Sequence, residues 1–179
     1  MFDILFPAGL DVNYNVDRVG GYLPASVRHG RMELAENLLQ KGADPSRNAL
    51  GDLYPALNLA VKGNNAKMAD LLIRYGARVN GLEALGIAAQ FRQFDMMRLL
   101  LKHGADVDDD ARDRYDHDGI VGFTALHQAT YAGHVDVVAF LLQQGARPDL
   151  KDELDRTPLM VAEEKGHQEV VGYLNKVQA

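Results

Sequence analysis

With 179 residues, 47% of them hydrophobic and 25% charged, the chain is long enough for one domain with a sizeable core, and disorder throughout is excluded. The absence of cysteine excludes disulfides, thiolate metal sites and cysteine nucleophiles, and suits a reducing compartment. A net charge of −6 argues against nucleic-acid binding, which needs lysine and arginine in excess on one face.

The chain opens MFDILFPAGLDVN, a short apolar run that contains Asp3 and lacks the preceding basic residues of a secretory signal. No run approaches the roughly eighteen apolar residues of a membrane span. A cytoplasmic protein without a membrane partner is therefore expected. Phe2, Ile4, Leu5 and Phe6 predict one helical turn, a half-unit over residues 1–19 that covers the first apolar face.

From there the chain repeats. ENLLQKGADP (36–45), ADLLIRYGARVN (69–80), MRLLLKHGADVD (97–108) and VAFLLQQGARPD (138–149) each carry a leucine-rich helical pattern into Gly-Ala, at Gly42, Gly76, Gly104 and Gly145. Gly9 holds the same place near the start. The expected units run over about 20–45, 46–80, 81–107 and 118–150, with a capping unit at 151–179, all within a single domain. In the last of these Gln168, Glu169, Asn175 and Lys176 stand where internal copies carry apolar residues, which gives the array a polar end.

The best-formed copy, FTALHQATYAGHVDVVAFLLQQGARPD (123–149), predicts two short helices. Leu126, Ala129 and Thr130 lie at helical spacing on the first, Gly133 breaks it, and Val135, Val137, Val138, Leu141 and Leu142 give the second one apolar face. Two short helices cannot bury such faces alone, so each pair stacks on its neighbours and the expected fold is an all-α repeat solenoid.

These residues resemble the ankyrin repeat. Thr124-Ala125-Leu126-His127 stands for the family's Thr-Pro-Leu-His, Gly133-His134 for its Gly-His and Gly145-Ala146 for its Gly-Ala-Asp, and Thr157-Pro158-Leu159 repeats the motif 33 residues on. Earlier copies depart: Pro55-Ala56-Leu57-Asn58 and Glu83-Ala84-Leu85-Gly86 keep the leucine and lose Thr and His. The resemblance implies helix-turn-helix units joined by β-hairpin fingers, a structural task for His127, and partners held by finger tips and first helices. His134 and His167 open second helices, where a polar side chain can serve the exposed backbone N–H groups.

The intervals between the repeat glycines are 33, 34, 28 and 41 residues. The 28-residue interval trims a finger before residues 82–104, and the 41-residue interval inserts into the next, predicting a notch beside an acidic projection at 106–119. That insertion, DVDDDARDRYDHDG, holds Asp106, Asp108, Asp109, Asp110, Asp113, Asp116 and Asp118 against Arg112 and Arg114, a local −5. Asp116, Asp118 and Gly119 fit three positions of a calcium loop, but Arg114 and Ala125 stand where its first and last carboxylates belong. A solvated, self-repelling loop, or an acidic rim that steers a basic partner, fits better.

By the resemblance, the candidate partner-binding side chains are Tyr54, Lys62, Leu82, Gln90, Phe91, Ile120, Val121, Phe123, Tyr131, Glu153 and Arg156, with Glu164 beside them. Aromatic anchors are what interfaces use most; the alternative for Phe91 and Phe123 is packing on neighbouring fingers, in space the trimmed hairpin left. The expected function is a protein-binding scaffold, adaptor or inhibitor that takes a partner with a basic surface, is monomeric alone, and needs no cofactor or catalytic residue. The rival is an enzyme or small-ligand protein using the notch near Phe91 and the Asp116-His117-Asp118 cluster.

Overall fold

The computed structural model describes residues 11–13, 15–16, 20–46, 55–81, 83–110 and 122–178. The expected N-terminal half-unit at Phe2–Phe6 lies outside them. The chain divides into two compact units, Met1–Arg78 and Val79–Ala179.

The first unit begins with a short antiparallel pair, β1 (Asn15–Val16) and β2 (Gly20–Gly21), with Asn15 opposite Gly21 and Val16 opposite Gly20. Among the described residues four helices follow: α1 (Tyr22–Arg28), α2 (Met32–Gln40), α3 (Ala56–Lys62) and α4 (Ala66–Arg74). α1 packs on α2 and α3, and α3 packs on α4. Leu38, Leu57, Met68 and Leu72 are fully buried between them. Buried leucine and methionine side chains each contribute about 2 kcal/mol, and no seven- to nine-residue helix is stable without that burial.

Among its described residues the second unit has three helix pairs: α5 (Ala84–Gln90) with α6 (Phe94–Lys102), α7 (Ala125–Ala132) with α8 (Val135–Gln143), and α9 (Pro158–Lys165) with α10 (Gln168–Gln178). The first helices form one row, α5 on α7 on α9, and α8 packs on α10 behind it. Leu126, Met97, Leu100, Leu141 and Leu174 fill the space between the rows. Gln168, Glu169, Asn175 and Lys176 of α10 are exposed, as a polar outer face requires.

Helix ends follow from the glycines. At Gly42, Gly76, Gly104 and Gly145 φ lies between 85° and 93°, and the next amide bonds back five residues, as in Ala43 N–H to the Leu38 carbonyl and Ala146 N–H to that of Leu141. The equivalent turn between first and second helices uses Gly30, Gly133 and Gly166, but also Asn64 (φ 48°) and Arg92 (φ 55°), two side chains held in a region that disfavours them.

The fingers depart from β-hairpins. Among the described residues strand pairing occurs only at β1–β2; elsewhere one side chain per finger clips the next. Asn13 donates to the Gly42 carbonyl (3.2 Å) and accepts from Asp44 N–H (2.8 Å). Ser46 repeats this with Gly76 and Arg78, and Asn80 with Gly104 and Asp106. Each clip stands four residues after a repeat glycine. The fourth is Asp108, whose carboxylate accepts from Arg147 N–H at 2.9 Å and from Arg147 Nε at 3.1 Å.

Candidate partner-binding face

The face is built in the second unit on the start of α7. Thr124 caps the helix, accepting from His127 N–H while its own N–H meets His127 Nδ1 at 3.3 Å; Thr124 Oγ1 lies 2.9 Å from the same nitrogen. Because Nδ1 accepts the Thr124 amide, the imidazole proton sits on Nε2, which donates to the Arg156 carbonyl at 3.0 Å. His127 is fully buried, and burial holds its pKa below the usual 6.5.

The last finger is organised by Asp152, whose side chain is 1% exposed. Its Oδ1 accepts from the N–H of Leu154 and of Arg156, and its Oδ2 pairs with the Arg156 guanidinium at 2.8 Å. Burial alone would raise the Asp152 pKa; the Arg156 and Leu154 hydrogen bonds and the Arg156 charge outweigh it and hold the carboxyl below its ordinary 3.8. Arg156 continues to Glu164 on α9 at 2.7 Å, and although burial opposes its charge, these two carboxylates raise its pKa.

That network corrects two expectations. Phe123 does not face a partner: it is 4% exposed, stacks on His127 at 5.3 Å and lies beneath the Arg156 guanidinium at 5.7 Å. Arg156 is not an open contact either, since its side chain is 18% exposed and bridges Asp152 to Glu164. Both hold the finger to the first helix.

Other candidates remain at the surface. Phe91, at the end of α5, is 55% exposed. Tyr131 on α7 is half-buried, with the Lys165 ammonium 4.4 Å from its ring centre. Gln90 is half-buried and Glu153 exposed. Lys62 is exposed at the end of α3 in the first unit. Tyr54, Leu82, Ile120, Val121, Asp113, Asp116 and Asp118 lie outside the described residues, as does His117.

The described start of the acidic stretch, residues 106–110, is held to the fold. Asp106 accepts from Asp108 N–H, Asp108 binds Arg147, and Asp109 accepts from Gly81 N–H at 2.7 Å; Asp110 is half-buried. Asp108 and Asp109 tie neighbouring fingers together. Among the described residues no group of three or more His, Asp or Glu is placed to hold a metal ion.

The second-helix histidines also differ from expectation. His134 Nε2 meets the Gln90 carbonyl at 3.1 Å and His167 Nε2 the Tyr131 carbonyl at 3.0 Å, so each binds the preceding first helix instead of capping its own. Carbonyls left over at a helix end offer the stronger unmet partner.

Leu154 and Met160 are among the exposed apolar side chains additional to the expected set. Leu154, at the last finger's turn, is 65% exposed, and Met160 is 47% exposed. Met160 stands three residues after the cap Thr157, where His127 stands after Thr124, and that substitution was a readable signal.

A family model described as ankyrin repeats (3 copies) matches residues 23–111 and 110–178. Protein glp-1 of Caenorhabditis elegans is 34% identical over 182 residues, which cover 93% of this chain and 14% of that protein. Alpha-latrocrustotoxin-Lt1a of Latrodectus tredecimguttatus is 30% identical over 150 residues, 81% of this chain and 10% of the toxin. The chain thus spans a small part of these two relatives. Human cyclin-dependent kinase 4 inhibitor B is 29% identical over 153 residues, 85% of this chain and 83% of the inhibitor.

Proposed function

The chain belongs to the ankyrin repeat family, and on that premise we propose that it is a protein-binding module, a scaffold, adaptor or inhibitor without chemistry of its own, which docks a partner on the finger and first-helix side of its second unit. The observation that carries this reading is Phe91, a phenylalanine 55% exposed at the C-terminal cap of α5. A large apolar ring on a rigid element is the kind of side chain from which interfaces draw most of their energy. Tyr131, pinned by Lys165, would supply the second aromatic contact, and Gln90 and Glu153 the polar rim.

The exposed carboxylates of Glu153, Asp155 and Glu163 favour a partner with a basic patch there, chiefly by raising the association rate. The likeness to a protein named as a cyclin-dependent kinase inhibitor supports the inhibitor form of the reading, since this chain spans most of that relative's length. Among the described residues no helix is long and apolar enough to cross a membrane, consistent with a module that works in the aqueous phase.

The test is affinity capture from native extract with the wild-type chain and with Phe91→Ala/Tyr131→Ala. Loss of specific partners from the double variant, with helical content and a cooperative melt retained, is the expected result. Identical captured sets would sink the proposed face.

A further inference from the structure

We propose that Asn80–Gly81 is a self-modifying site, able to lose ammonia and close to a succinimide that water opens to aspartate or isoaspartate, and that the bond from the Gly81 amide to Asp109 holds it shut in the folded chain.

Two demands of the fold bring this dipeptide together. The clip position needs a side chain that both donates and accepts, and Asn80 does so with Gly104 and Asp106. The next residue has φ 76°, in the left-handed region where a Cβ is disfavoured, so the turn calls for glycine. Glycine after asparagine leaves the least steric hindrance to attack of the backbone nitrogen on the side-chain amide. The pair occurs once in the chain. Asn13 makes the same clip but is followed by Tyr14.

The reaction is intramolecular. The Gly81 nitrogen gives up its proton and bonds to Asn80 Cγ, the Cγ–Nδ2 bond breaks, and Nδ2 leaves with that proton as ammonia; water then adds to either carbonyl of the ring. Asn80 is exposed, so water reaches it. Ring closure is opposed in the folded state at both of its atoms. The Gly81 N–H donates to Asp109 Oδ2 at 2.7 Å. A carboxylate is a far weaker base than an amide anion, so the proton stays on nitrogen, and the acceptor's negative charge opposes the one that attack must develop. Attack also makes Cγ tetrahedral and expels Nδ2, which surrenders the 3.2 Å bond to the Gly104 carbonyl. Opening of this finger is therefore the event that lets the reaction proceed.

The product does not rebuild the rung. A carboxylate serves in the next clip because Asp108 meets Arg147, two residues after Gly145. Two residues after Gly104 stands Asp106, another carboxylate, and the Gly104 carbonyl loses the Asn80 donor. Each opening thus carries a chance of permanent loss of the clip.

The experiment follows the full chain at pH 7.5 by peptide mass mapping, reading conversion of amide to acid, both folded and in denaturing urea. In urea Asn80 should convert and Asn13 should not; in the folded chain Asn80 should convert about tenfold more slowly, or slower still. Asp109→Ala should convert several-fold faster than wild type when folded, and at the wild-type rate in urea. Equal folded and unfolded rates, equal conversion of Asn13 in urea, or a folded Asp109→Ala that converts no faster than wild type overturns the inference. Should Asp109→Ala not fold, wild type in urea below its unfolding transition decides. Conversion must rise in step with hydrogen exchange at the Gly81 amide, and a rise while that amide stays protected overturns the proposal. Asn80→Asp, which reproduces the aspartate product, should unfold at a lower urea midpoint than wild type; an equal midpoint refutes the loss of the rung.

Discussion

His127 Nε2 lies 3.0 Å from the carbonyl oxygen of Arg156, a bond that spans 29 residues of sequence and joins a first helix to the next unit's finger. A bond of this kind turns two local motifs into one cooperative structure. It also makes the protonation state of one imidazole a stability term.

The pH dependence has a definite sign. The folded state resists protonating His127, whose pKa lies below 6.5, whereas the unfolded chain takes the proton near that value. Between the two, the unfolded state binds more protons, so stability falls as pH falls. The contribution is fully present above about pH 6.5 and is lost on acidification towards the folded pKa. The Tm should therefore drop between pH 7.5 and 5.5, and drop less in His127→Asn; a flat wild-type profile contradicts this.

Asp152 acts in a lower window. Its folded pKa lies below 3.8, so its contribution is present above that value and is lost as pH falls through the folded pKa. Asp152→Ala would leave the Arg156 cation half-buried and two backbone amides unmet. Removing one partner of such a pair costs about 3 kcal/mol. Urea unfolding at pH 7.5 should register that loss, and Asp152→Asn, which retains one acceptor, should cost less.

Much of this fold was legible because its signals are local. Leucine spacing and the glycines at 42, 76, 104 and 145 specify helix faces and helix stops within a dozen residues. The clips are harder to see, because Asn13, Ser46, Asn80 and Asp108 share a position and an acceptor but span three residue types, and their partners lie 24 to 39 residues away. Phe123 misled for a related reason. Its slot at the finger–helix junction suits a surface residue, and His127 and Tyr131 of α7 together with Arg156 from the next finger cover it. Phe91, by contrast, stays 55% exposed.

The two glycines that end first helices in the last units should respond differently to alanine. At Gly166 (φ 74°) an added Cβ meets nothing, so Gly166→Ala costs only the left-handed backbone, about 1 kcal/mol. At Gly133 (φ 75°) the Cβ would fall 2.7 Å from His167 Nδ1. The ring cannot move aside without surrendering its bond to the Tyr131 carbonyl. Gly133→Ala should cost clearly more than Gly166→Ala in urea unfolding, and equal costs would mean that His167 is free to shift.

The clip residues permit a test of what the acidic stretch contributes to the fold. Asn80 both donates to Gly104 and accepts from Asp106, and Asn80→Ala forfeits both bonds, at about 1 kcal/mol. Asp108 can only accept, so the pattern's donor to the Gly145 carbonyl is missing and a charge-assisted bond to Arg147 Nε stands in its place. Asp108→Asn would restore the donor while weakening the Arg147 pair. The two changes oppose each other, and stability should move by less than about 0.5 kcal/mol. Asp108→Ala, which loses the acceptor altogether, should cost about as much as Asn80→Ala. If all three variants unfold at the wild-type urea midpoint, the aspartate is a surface charge; the 2.9 Å bond to Arg147 N–H argues that it is a rung.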